Sequence, residues 1–149
     1  MQTIFEPALE QATLARLDRL TPDAKAQFGK FNPHRMMCHL IDASLIGLGE
    51  KQVKPGTGFL TLKPVRRFVL FVMPWPKGKV QTHPAFLETQ PAEFEADRAR
   101  LRALLQRIAA KGRKGEEFQA HPAFGNLSTE EWGGLVFRHV GHHFAQFGV

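Results

Sequence analysis

The sequence predicts an all-α protein, a bundle of four or five helices. Three observations carry that reading: two clearly signed helix starts, apolar residues recurring at helical spacing along most of the chain, and no alternation of strands with helices. Hydrophobic residues at 43% and charged residues at 23% match an ordinary globular chain. This points away from disorder and fibrous repeats and toward one domain over residues 1–149.

The first helix is expected from about Pro7 to Leu20, where Leu9, Leu14, Leu17 and Leu20 keep helical spacing and Thr21-Pro22 stops it. Asn32 is a capping residue for the second, and Pro33 suits its first position, where a missing N–H costs nothing; this helix should reach about Gly49. Phe59 to Met73 has helical character that Pro64 should break or kink, and its all-round apolarity leaves a strand as the alternative. Within it, the run from Phe68 to Met73 is expected to be a buried helix segment. Residues 74–90, punctuated by Pro74, Pro76 and Pro84, read as a long Pro-rich connection, either a crossover or the wall of a binding site. The fourth helix is expected from near Pro91 to about Ala110, carried by Phe94, Leu101, Leu105 and Ile108. Ser128 with Glu131 three residues on is a capping-box pattern, and the last helix should run from there through Phe147.

Several classes of function are disfavoured. Cys38 is the single cysteine and Met1 to Glu6 lacks the marks of a secretion signal, which fits a cytoplasmic protein. The most apolar run is far shorter than the ~20 residues that cross a bilayer, so no membrane span is expected. The net charge of +6 invites nucleic acid as a partner, yet Arg100, Arg107, Lys111 and Lys114 form one stripe of the fourth helix opposite its apolar face, with no recognition motif beside it. A solvated face is the simpler reading. His-Pro-Ala-Phe occurs twice, at 83–86 and 121–124, which reads as shared loop chemistry rather than an internal repeat. His34 and His121 are expected to be hydrogen-bonding residues, and Cys38 to be packing.

The chemistry concentrates in histidine. At about 100° per residue, His139 and His143 share the inward stripe of the last helix with Trp132, Val136 and Gln146, while His142 falls at its rim. Imidazoles at i and i+4 can aim lone pairs at one point, a usual metal-ligand pair. His39, mid-way along the second helix, is the candidate third ligand. Asp42 lies one turn later on the same side, where a carboxylate could orient an imidazole. Core histidines satisfied by hydrogen bonds are the plainer alternative.

Pro33-His34-Arg35-Met36-Met37-Cys38-His39-Leu40-Ile41-Asp42-Ala43, together with His139-Val140-Gly141-His142-His143-Phe144-Ala145-Gln146-Phe147, resembles the DinB-like superfamily over most of the chain. His121-Pro122-Ala123-Phe124-Gly125 followed by Glu131-Trp132-Gly133 resembles one branch of it, known as a domain of unknown function. The resemblance implies a four-helix bundle with an up-down-down-up path, here with one extra short helix, and a divalent metal held by His39, His139 and His143. It also implies a thiol transferase acting on a small-molecule substrate with a low-molecular-weight thiol as cosubstrate; nitrogen ligands with an open position suit zinc, nickel or iron and allow a related hydrolysis. In that scheme Asp42, His142 and Gln146 support the ligands and Arg98, on the inward half of the fourth helix, pairs with an acidic group of the thiol. A non-catalytic, stress-associated metal-binding homodimer is the second reading, with Phe137 and Phe144 available to a neighbouring helix or a second subunit.

Overall fold

A computed structural model describes residues 1–77 and 82–149. Its five α-helices are α1 Pro7–Arg19, α2 Pro33–Gly47, α3 Lys63–Arg67, α4 Phe94–Arg113 and α5 Thr129–Gln146, with no strand among the described residues. Short 3-10 turns at Phe59–Thr61 and Pro84–Phe86 flank α3 and its continuation, a wider π-helical turn at Phe68–Val72.

The helix starts follow the local chemistry. The Asn32 side chain accepts from the Arg35 N–H, and Pro33 occupies the first turn of α2. At α5 both halves of the capping box form: Ser128 Oγ accepts from the Glu131 N–H, and Glu131 accepts from the Ser128 N–H. Helix α4 starts later than Pro91 suggests, because Glu93 is its cap, its carboxylate taking the Glu95 and Ala96 N–H groups. It runs on to Arg113, past the expected Ala110. Pro64 lies in the first turn of α3, so the break falls before the helix rather than inside it.

The main core joins Leu14 and Leu17 of α1, Met36, Leu40 and Ile41 of α2, Leu101 and Leu105 of α4, and Val140 and Phe144 of α5. At about 1.5–3 kcal/mol for each large aliphatic side chain buried, this packing supplies the main drive for the helices to associate. Phe144 is fully buried here and Phe137 packs beside Ile4 and Ile108, so both of these residues are used within the chain. Phe5 is wedged between α4 and α5, where only glycines leave room: a Cβ on Gly112 or Gly133 would come within 2.1 or 2.5 Å of its ring. A second cluster, Leu70, Leu127, Trp132 and Leu135, packs the α3 segment onto the start of α5.

That segment corrects an expectation. Between Phe68 and Met73 only Leu70 is buried, whereas Phe68 and Val72 are 55% and 66% exposed. The wide turn splays successive side chains: Leu70 anchors the segment, Phe71 packs beside it on the same cluster, Phe68 and Val72 face solvent, and Val69 and Met73 face the cavity described below. No helix of the described residues is long and apolar enough to cross a membrane. The basic stripe of α4 is partly matched by acids, with Arg107 on Glu50 and both Lys111 and Lys114 on Glu116.

Candidate metal centre

Helices α2 and α5 bring His39, His139 and His143 together. His139 Nε2 lies 3.0 Å from His39 Nε2 and 3.2 Å from His143 Nε2, so three ring nitrogens converge on one point. An ion bound by imidazoles at about 2.0–2.1 Å in tetrahedral geometry holds its nitrogens roughly 3.3–3.4 Å apart, so small side-chain shifts accommodate it.

The far sides of two rings fix the tautomers that such binding needs. His39 Nδ1 lies 3.2 Å from the Phe86 carbonyl oxygen, an acceptor only, so Nδ1 carries the proton and Nε2 a lone pair. His143 Nδ1 lies 3.1 Å from Gln146 Oε1, whose own amide donates to the Phe28 carbonyl at 2.7 Å, so its Nε2 is also a bare acceptor. Two lone pairs then face His139 Nε2, and a single N–H there satisfies only one of them at a time. A shared cation satisfies all three. Burial pushes His39 down to about 4, and burial with the neighbouring His39 pushes His143 down to about 3. His139 is depressed well below its ordinary value by burial and by the surrounding histidines. All three rings are therefore neutral at pH 7, the protonation state of a metal ligand.

The cluster lines a cavity of about 560 Å³ whose walls are mostly apolar and aromatic, among them Phe28, Phe31, Trp75, Phe86, Phe124 and Trp132. Two faces of it come from segments outside the long helices: Val69 and Met73 of the α3 segment, and Phe86 of the connection between α3 and α4. The connection is thus a wall of the site. Its residues 78–81 lie outside the described part of the chain.

The supporting residues divide. Gln146 and His142 line the cavity with the triad; Gln146 contacts His143 directly, while His142 packs at a tilt against both Phe28 and Trp75 and makes no hydrogen bond to the three. Asp42 does not touch His39. Its carboxylate accepts from the Thr89 N–H at 2.9 Å, from Thr89 Oγ1 at 2.7 Å and from Lys51 Nζ at 3.1 Å. Burial raises its pKa, and these bonds outweigh it and hold the group below its usual range. Because Lys51 also donates to the Ala85 carbonyl, Asp42 secures the strap that carries Phe86; it makes no hydrogen bond to His39 and reaches that ring through this strap and through its charge. Arg98 is elsewhere: its guanidinium donates to the Asp18 and Leu20 carbonyls, pairs with Glu95 and lies over Phe94, so it braces α1 against α4 and does not line the cavity. The inward half of α4 faces α1 at this level, so Arg98 lies against that helix and not beside the triad. Phe86 and Trp75 were not legible as site residues, since both lie in the connection, where no periodicity assigns a side.

Another grouping, His34, Cys38 and Asp97, has ligand-type atoms within 4.8 Å of one another. His34 Nε2 bonds Asp97 at 2.7 Å, bracing α2 against α4, and Cys38 is 1% exposed. Burial, with Asp97 nearby, pushes its thiol up to about 11, which suits packing rather than nucleophilic work.

Fold and site together define a class: an all-helical protein with a three-histidine cluster able to hold a metal ion at an apolar cavity. The model of the family described as protein of unknown function, DUF1569, matches residues 5–148, and the chain belongs to that family. No curated protein and no solved structure matches it.

Proposed function

We propose that this protein is a metal-dependent enzyme of the DinB-like type, with an up-down-down-up bundle, acting on an apolar small molecule by transfer of a low-molecular-weight thiol or by a related hydrolysis. The observation that carries the reading is the convergence of three neutral imidazoles, two with their distal nitrogens tied to oxygen acceptors, on the wall of an aromatic cavity. A bound zinc, nickel or ferrous ion with an open position would lower the pKa of a thiol or water there and supply a nucleophile at neutral pH.

The chain's own residues supply the rest. Phe86 and Gln146 keep His39 and His143 in the ligand tautomer. The aromatic walls exclude water and hold an electrophile of about one or two rings; in a thiol transfer, the sulfur forms a bond to the electrophilic carbon, and the leaving group departs with its electron pair. The test is to strip the protein with chelator, reload it with zinc, nickel or ferrous iron, and follow loss of a small thiol against a panel of aromatic electrophiles. Metal-dependent consumption that His139→Ala abolishes supports the enzyme; metal uptake without turnover or hydrolysis favours the non-catalytic metal-binding protein, with gel filtration reporting whether it is a dimer.

A further inference from the structure

The two His-Pro-Ala-Phe segments share one local structure. At 83–86, His83 caps a 3-10 turn, its Nδ1 accepting the Ala85 N–H at 3.2 Å. At 121–124, His121 Nδ1 accepts the Ala123 N–H at 3.0 Å and the Phe124 N–H at 3.3 Å. Proline at the second position restricts the histidine to extended backbone and removes one competing N–H, so the next free N–H, two residues on, turns back to the imidazole. A ring nitrogen that accepts from backbone carries no proton, so each neutral ring must carry its hydrogen on Nε2.

Both histidines line the cavity beside the triad, and the Phe86 ring lies 6.2 Å from that of His83 and 5.9 Å from that of His121. Among the described residues no hydrogen bond reaches His121 Nε2, and the one sealed side-chain nitrogen or oxygen without a partner is Arg98 Nε. The His121 donor is therefore not shut in the core but open to the cavity. The turn that holds it is fixed on three sides. His121 and Gly125 exchange backbone hydrogen bonds at 2.8 and 3.0 Å, Gly56 N–H donates to the His121 carbonyl at 3.0 Å, and a Cβ on Gly56 would lie 2.5 Å from the Ala123 carbonyl carbon.

We infer that His121, assisted by His83 at the rim, presents an Nε2–H donor that anchors a carbonyl oxygen of the bound small molecule, which makes the ligand an aromatic or similarly flat apolar compound carrying a carbonyl group. A neutral N–H among aromatic walls suits a neutral acceptor, since a carboxylate would enter the cavity at a desolvation cost that one uncharged donor does not offset. Burial pushes His121 down to about 4, in keeping with a neutral donor. This deepens the proposed function by naming the electrophile's class, and it rests on that reading only in taking this cavity as the substrate's.

The experiment uses the full chain after chelator treatment, so that its outcome is independent of whether a metal binds. Long-range ¹H–¹⁵N spectra at pH 7 read the tautomer of His121, and NMR titrations compare acetophenone with ethylbenzene, probes of one shape with and without the carbonyl. The expected result is an Nε2–H tautomer and an acetophenone-to-ethylbenzene affinity ratio that falls about tenfold in His121→Phe, the worth of one hydrogen bond. His121→Asn should give the same fall while retaining a side-chain oxygen for the turn's N–H groups, and so serves if the Phe variant does not fold. An Nδ1–H tautomer, or a ratio unchanged in the variants, overturns the inference. Metal stoichiometry, measured separately, decides the fate of the triad.

Discussion

Gln146→Leu isolates what orients a ligand from what provides it. Gln146 is 3% exposed and makes two bonds, accepting from His143 Nδ1 at 3.1 Å and donating to the Phe28 carbonyl at 2.7 Å. Leucine fills nearly the same space and makes neither, so His143 loses the acceptor that fixes its tautomer while keeping its metal-facing nitrogen. Removing such a partner costs roughly 10–100-fold in metal affinity, or about 1.4–2.7 kcal/mol. The metal-free protein should lose about 1–3 kcal/mol in addition, because a buried donor and a buried carbonyl are left without partners. Competition against a chromophoric zinc chelator reads the first quantity and urea denaturation of the stripped protein reads the second. Gln146→Glu keeps the acceptor for His143 but sets a carboxylate against the Phe28 carbonyl, so it should lose stability yet retain affinity within a few-fold. If Gln146→Leu lowers stability while zinc affinity stays within twofold of wild type, Gln146 is only a packing residue and the tautomer argument fails.

Other outcomes follow from the same structure. Folding holds His39, His139 and His143 below the ordinary value of 6.5, so as pH falls from 6.5 toward 4 the unfolded chain takes up protons that the folded one refuses. Stability of the stripped protein should therefore fall with pH across that window, by up to roughly 1 kcal/mol per pH unit for each ring, and the triple alanine variant should show a shallower slope in urea titrations. A slope identical in the two proteins would contradict the burial of the rings. Glu131 is 1% exposed, completes the capping box and pairs with Arg66 at 2.9 Å; Glu131→Ala should cost about 3–5 kcal/mol by leaving that cation without its partner, read as a lowered urea midpoint. Gly112→Ala should cost about 1–3 kcal/mol in wild type and markedly less in a Phe5→Ala background, since the clash is with the Phe5 ring; additive losses in that cycle would refute the wedge.

The sequence carried the helices where local chemistry decides them. Asn32-Pro33 and the Ser128–Glu131 pair are short-range devices, and both form as read. The start of α4 was misplaced because Pro91 looks like a first-turn proline, while the cap that competes successfully is Glu93, whose carboxylate reaches two free N–H groups. The triad was legible because helical phase puts His139 and His143 on one stripe and His39 on an inward border, and the structure brings those three together.

Phase says which way a side chain points, however, and not which distant group will claim it. Asp42 points inward as expected and is claimed by Thr89 and Lys51, leaving the Phe86 carbonyl to orient His39. Arg98 likewise lies on the inward half of α4, and at that level the C-terminal carbonyls of α1 claim its guanidinium. The repeated His-Pro-Ala-Phe was visible and correctly read as loop chemistry. That both copies line one cavity depends on tertiary packing, which no repeat encodes.

The most direct test of the central claim is metal content by plasma mass spectrometry, with X-ray absorption at the metal edge, after exposing wild type and the His39→Ala, His139→Ala, His143→Ala variant to zinc, nickel and ferrous iron. The account predicts about one ion per wild-type chain, none in the variant, and three imidazole nitrogens at roughly 2.0–2.1 Å for zinc. Equal uptake by the two proteins, uptake by neither, or a coordination shell without three imidazoles would contradict it.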